Sequence, residues 1–75
     1  MKELVEVIAK ALVNNPDEVV VIETEENGET RLDLSVDPSD MGKVIGKQGR
    51  IAKAIRTVLK VAASKENKRV TLDIN

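Results

Sequence analysis

Lys43-Val44-Ile45-Gly46-Lys47-Gln48-Gly49-Arg50-Ile51 places two glycines three apart, with a Lys and a Gln between them. Gly has no Cβ, so such a segment can turn sharply and let another chain approach closely. On its N-terminal side Met41, Val44 and Ile45 fit a short helix that stops at Gly46. On its C-terminal side a second helix begins near Gly49 or Arg50 and runs to about Ser64, roughly four turns. From the loop alone, two readings stand level. One is a helix C-cap followed by a tight interhelical turn; the other is a seat for a nucleic-acid backbone.

The second helix carries an apolar stripe of Ile51, Ala54, Ile55, Val58 and Ala62, widened by Leu59 and Val61. Lys53, Arg56 and Lys60, spaced by three and four residues, share the opposite face. Upstream, Asp37-Pro38-Ser39-Asp40 predicts the helix start: Asp37 caps, Pro38 suits the first helical position, and Asp40 favours the positive end of the dipole. Thr30 to Val36 alternates, with Leu32, Leu34 and Val36 on one side and Arg31, Asp33 and Ser35 on the other, as a half-buried strand does. Asn27-Gly28 before it suits a tight hairpin, and the β-branched run Val19 to Ile22 opens the partner strand, Val19 to Glu25. Lys2 to Val13 reads as a helix with Leu4, Val7, Ile8, Ala11 and Leu12 inward, ended by Asn14-Asn15-Pro16-Asp17. Val70, Leu72 and Ile74 mark a last strand after the polar turn Lys65 to Lys68.

The order is therefore α-β-β-α-α-β. The two middle strands form an antiparallel hairpin. The last strand returns after a long helical connection, parallel to the second. One apolar sheet face under three helices makes a two-layer α+β sandwich with a three-stranded mixed sheet, expected to span residues 1–75 as one domain.

Composition removes several kinds of chemistry. The chain has 75 residues and no Cys, His, Phe, Tyr or Trp. Disulfides and thiolate zinc sites are excluded, and so is the commonest neutral-pH general base. Without His or Cys, the remaining Ser and Thr residues assemble no nucleophile and base pair, so a noncatalytic protein without cofactor or metal is expected. Base stacking on aromatic rings is impossible. No stretch resembles a signal peptide or membrane span, which predicts a cytoplasmic protein without membrane or small-molecule ligands.

The net charge of −1 conceals a division: residues 1–40 hold three basic and eleven acidic side chains, residues 41–75 nine basic and two acidic. Either one surface faces a polyanion or the two halves attract each other. The acidic hairpin residues Glu23, Glu25, Glu26 and Glu29 show no metal-binding geometry and read as solvated, as do Lys65, Lys68 and Arg69. Gly42 to Gln48 falls short of a nucleotide-phosphate loop, with one residue too few between the glycines and Gln48 where Ser or Thr is needed.

Val44-Ile45-Gly46-Lys47-Gln48-Gly49, set between a short and a longer helix, resembles the Val-Ile-Gly-x-x-Gly signature of the K-homology (KH) domain. The element order is that of its type II form. The whole chain is similar to the small single-domain bacterial KH proteins of the KhpA (YlqC-like) family. That resemblance implies single-stranded RNA clamped by its backbone at the loop, with an adjoining groove reading bases. It implies roles for Gly46 and Gly49 in close approach, and for Lys47 and the loop amides on phosphate. Lys43 and Arg50 would flank the path, Lys53 and Arg56 would extend it, and Val44 and Ile45 would support the groove floor. It further implies an RNA chaperone or post-transcriptional regulator, acting as a homodimer or with a larger KH-containing partner. Ala52 departs from the pattern, in which a large aliphatic residue is common three positions after the second glycine. The competing expectations are a protein-interaction or dimerisation module with weak nucleic-acid affinity, and a helix-turn-helix binder of duplex DNA.

Overall fold

The computed structural model describes residues 1–75. Helix α1 spans Lys2–Leu12, strands β1 and β2 span Val20–Glu26 and Glu29–Ser35, helices α2 and α3 span Met41–Ile45 and Arg50–Lys65, and strand β3 spans Arg69–Ile74. Single 3₁₀ turns occupy Pro16–Glu18, Pro38–Asp40 and Lys47–Gly49. The expected α+β sandwich is thus borne out, with its strands in the order β1-β2-β3. β1 and β2 pair antiparallel from Val20↔Ser35 to Glu26↔Glu29, and β2 pairs parallel with β3 from Glu29↔Arg69 to Leu34↔Ile74. The hairpin turns at Asn27 and Gly28, both at positive φ (53° and 79°), as that pair favours.

The core lies between the helices and one face of the sheet. Leu32 and Leu34 of β2, Val21 of β1 and Leu72 of β3 point into it. They meet Val5 and Ala9 of α1, Val44 of α2, and Ile55 and Leu59 of α3. The apolar run at β1 hides an ordinary alternation, since Val19 and Val21 are buried while Val20 and Ile22 lie on the solvent face. Arg31 on that face reaches Asp73 of β3 at 3.0 Å and Asp33 at 3.5 Å. Lys68 clips the turn before β3 to Glu25 of β1 at 3.2 Å, and the Glu25 hydrogen bond and charge hold its ammonium above the usual 10.5.

Both helical faces differ from expectation in phase. On α1 the fully buried residues are Val5 and Ala9; Ile8 and Leu12 are half-buried, and Val7 is 68% exposed. On α3 the core takes Ala52, Ile55, Leu59 and Ala63, leaving Val58 and Val61 at 46% and 55% exposure. Each helix carries more apolar residues than one face can hold, so the stripe has no unique phase until the sheet selects one. Ala52 therefore packs inward, where a small side chain lets α3 sit close.

One inward residue of β2 is polar. Thr30 is buried and its hydroxyl has no hydrogen-bond partner. Val has the same shape and leaves nothing unsatisfied. Thr30→Val is expected to stabilise the fold by about 1 kcal/mol, seen in urea as a higher midpoint with an unchanged slope.

Candidate nucleic-acid interface

The interface is built where α2 hands over to α3. Asp37 caps the 3₁₀ turn as expected, accepting hydrogen bonds from the Ser39 amide at 2.9 Å and the Ser39 hydroxyl at 2.7 Å. Asp40 does more than favour a dipole. Its carboxylate is fully buried and accepts from the Asn14 amide (3.2 Å), the Asn15 amide (3.0 Å) and Asn15 Nδ2 (3.0 Å). The segment after α1 is thereby fastened to the start of α2. Burial alone would raise the Asp40 carboxyl, but the Asn15 and Asn14 hydrogen bonds and the Lys43 charge together hold it below its usual 3.8. With its pKa depressed, the ionised carboxylate stabilises the fold at neutral pH. That contribution is lost only as pH falls below 3.8, through the lowered value.

Helix α2 ends at Gly46, whose amide donates to Gly42 O at 2.9 Å. Gly46 adopts φ 77°, ψ 175°, a conformation open essentially to Gly alone. A Cβ there would stand 2.6 Å from Ile51 Cγ1 and 2.9 Å from Ile51 Cδ1, so the loop also lies hard against the first turn of α3. Gln48 and Gly49 follow in left-handed conformations, at φ 57° and 73°. A Cβ on Gly49 would meet nothing. The two glycines have different tasks: Gly46 serves packing and chain direction, Gly49 the turn itself.

The loop is open to solvent at Lys47 and Gln48. Among the turn and cap hydrogen bonds, none is donated by their amides. Gly49, as N-cap of α3, supplies no capping side chain. The positive end of a 16-residue helix therefore stands beside the loop without a side-chain cap. Arg50 arches back so that one of its terminal nitrogens donates to Gln48 Oε1 at 3.2 Å. Lys47, Arg50 and Lys53 are exposed and make no ion pair. Of the nine cations in residues 41–75, only Lys43 (to Asp40, 3.8 Å) and Lys68 (to Glu25) are paired with carboxylates. Attraction between the halves therefore accounts for a minority of the basic charge.

The predicted site residues fall into separate groups. Lys47, Gln48, Arg50 and Lys53 are exposed around the half-buried Gly46 and Gly49 and form one basic corner. Val44 faces the core with no exposed surface, and Ile45 is half-buried beside it, so both brace the loop from beneath. Lys43 stands one turn back, held by Asp40. Arg56 departs from the simple positive track. Its Nε and one terminal nitrogen both donate to Leu72 O of β3, at 3.3 Å and 3.1 Å. It sits in a cleft of about 350 Å³ between α3 and the β3 edge, with Leu59, Lys60 and Val70 to Asp73. The resemblance implies a groove beside the loop, but helix and strand periodicity does not place it between α3 and the β3 edge. Lys60 and the edge of β3 meet only through a parallel return that joins residues about ten or more apart.

Fold and loop together define a KH domain of type II: α-β-β-α-α-β with Gly-x-x-Gly between the second and third helices. The chain belongs to the KhpA/KhpB KH-domain family, whose sequence model matches residues 2–74. It is 65% identical over 74 residues to the RNA-binding protein KhpA of Clostridium acetobutylicum, covering 99% of each chain. The KhpA proteins of Clostridium perfringens and Aquifex aeolicus are 64% and 51% identical over the same length, with 99% and 94% of their chains covered. No helix is long and apolar enough to cross a membrane.

Proposed function

We propose that this chain is a noncatalytic, cytoplasmic RNA-binding protein that clamps single-stranded RNA at the Gly46–Gly49 loop and acts as an RNA chaperone or post-transcriptional regulator. The observation carrying the proposal is the exposed loop, with its positive helix end and three unpaired cations, Lys47, Arg50 and Lys53. Phosphate oxygens would dock on the loop amides and these side chains, and bases would enter the α3–β3 cleft. Relatives named RNA-binding protein KhpA support the same reading. Residues 1–75 would work as one KH unit.

A second surface favours self-association or pairing with a larger KH-containing protein. Leu4 and Val7 of α1 and Val58 and Val61 of α3 are exposed, and an apolar groove runs between the helices past Ile8, Leu12, Ile51 and Ala54. So small a core gains from burying that surplus in a partner. It lies around α3 from Arg56 and Lys60, though Arg50 of the loop corner also lines the groove.

One set of amide NMR spectra tests both. Titration with short single-stranded RNA is expected to shift Gly46 to Lys53 and the β3 edge, with duplex DNA competing poorly. Dilution without RNA is expected to shift α1 and the outer face of α3 instead. RNA shifts confined to residues far from the loop would remove the loop from the mechanism.

A further inference from the structure

Arg56 is the one loop-side cation whose side chain is tied to backbone. The chain lacks Phe, Tyr, Trp and His, so no ring is present on which a base can stack. The planar group that takes this role in RNA recognition where rings are absent is the Arg guanidinium. The sequence holds three arginines besides Arg56: Arg31, Arg50 and Arg69. Arg31 is engaged with Asp33 and Asp73 on the opposite sheet face. Arg50 leans on Gln48. Arg69 lies at the start of β3, in a neighbouring hollow with Ala63 and Lys68.

Arg56 differs from these three in how it is held. Two of its five N–H donors converge on a single oxygen, Leu72 O. That chelation keeps the oxygen near the guanidinium plane, so the hydrogen bonds immobilise the group without using either flat face. Sheet register agrees with the placement. Backbone groups of an edge strand alternate between its partner and the outside. Asn75 N bonds to Leu34 O on the β2 side, so Leu72 O, an odd number of residues back, turns outward to the cleft. The Arg56 side chain remains exposed. Leu59, Val70 and Leu72 line the cleft beside it, and Lys60 supplies a second charge. Six residues separate Arg56 from Arg50, about 9 Å along the helix, close to the reach between a phosphate on the loop and a base one or two nucleotides on.

We propose that the guanidinium of Arg56, pinned across the α3–β3 cleft by Leu72 O, is the platform on which this aromatic-free protein stacks an RNA base. The inference rests on the RNA-binding reading above and adds a residue role to it: Arg56 contributes a flat surface to a base, beyond its charge to a phosphate. Purines, with the larger face, are then preferred at that position.

The test compares wild type with Arg56→Lys, which keeps the charge and loses the plane. The ligands are a single-stranded hexaadenylate and the same oligomer with an abasic nucleotide placed at each position in turn. Wild type is expected to lose about tenfold in affinity at one abasic position. Arg56→Lys is expected to bind the intact oligomer about tenfold more weakly, with an unchanged salt slope, and to show no further loss at that position. A direct readout on wild type guards against a folding defect in the variant: the Arg56 Nε–H resonance should move upfield with hexaadenylate and stay in place with the abasic form. Equal abasic penalties in both proteins, or an unmoved Arg56 resonance, would overturn the stacking role. The double variant Lys47→Asp, Gln48→Asp separates this from the parent reading, because binding that survives it defeats the loop clamp itself.

Discussion

The double variant Lys47→Asp, Gln48→Asp is expected to bind single-stranded RNA roughly 100-fold more weakly than wild type while keeping its circular dichroism spectrum and thermal midpoint. The size follows from charge. The pair of changes alters the loop tip by three units, and two charges 4 Å apart in water interact by about 1 kcal/mol. Three such units approach about 3 kcal/mol, or two orders of magnitude in affinity. The fold should not notice. Both side chains are exposed, and of the hydrogen bonds at the loop only that from Arg50 to Gln48 Oε1 is removed. At φ 57°, position 48 suits Asp better than Gln, because short polar side chains tolerate left-handed backbone. Fluorescence anisotropy against salt checks the mechanism as well as the size. Single strands lose affinity with a slope near about −0.7 per phosphate contact, so the variant's log–log plot should be flatter by about one such contact. Wild-type affinity in the variant would show that RNA docks elsewhere.

The same charges illustrate what a chain discloses before it is folded. Asn27-Gly28, Asp37-Pro38 and the two glycines of the Gly-x-x-Gly loop act through local backbone preferences, and each adopts the conformation its residue types favour, whereas Gln48 is held at a φ of 57° that its type does not favour. Element order was legible for the same reason. The inward faces of α1 and α3 were not. Apolar residues wrap more than half of each helix, so periodicity alone left the phase open and pointed to Val7 and Val58, which are exposed. The tertiary partners of Asp40 and Arg56 were hidden in another way. Both look like ordinary surface charges, yet one is buried under Asn14 and Asn15 and the other is fastened to Leu72 O. Their partners lie 16 or more positions away, so only the tertiary fold brings them together. The exposed loop corner was readable because its residues are nearly consecutive; the cleft beside it was not, because it needs β3 to return next to α3.

Gly46→Ala is expected to be the most destabilising single change in the loop, at about 3 kcal/mol, and Gly49→Ala to cost only about 1 kcal/mol. The sequence presents the two glycines as equivalents, but their surroundings do not. At Gly49 the penalty is the left-handed backbone alone, since an added Cβ meets open space. At Gly46 two costs combine. Its φ of 77° with ψ of 175° is nearly closed to side chains, and the new methyl would overlap Ile51 Cγ1 at 2.6 Å. Ile51 is β-branched and partly buried against the core, and its Cβ would itself stand 3.0 Å from the new methyl, so a change of rotamer relieves only part of the overlap. For a domain of this size 1 kcal/mol moves the midpoint by about 4–8 °C, so Gly46→Ala should melt at least about 12 °C below wild type. Adding Ile51→Ala separates the two costs. If overlap matters, Gly46→Ala should cost less in the Ile51→Ala background than in wild type, the coupling measured by a double-mutant cycle. Strict additivity would assign the whole effect to backbone conformation. Either way, a destabilised loop moves the amides and the start of α3 together, so RNA affinity should fall with Gly46→Ala even at temperatures where the protein is still folded.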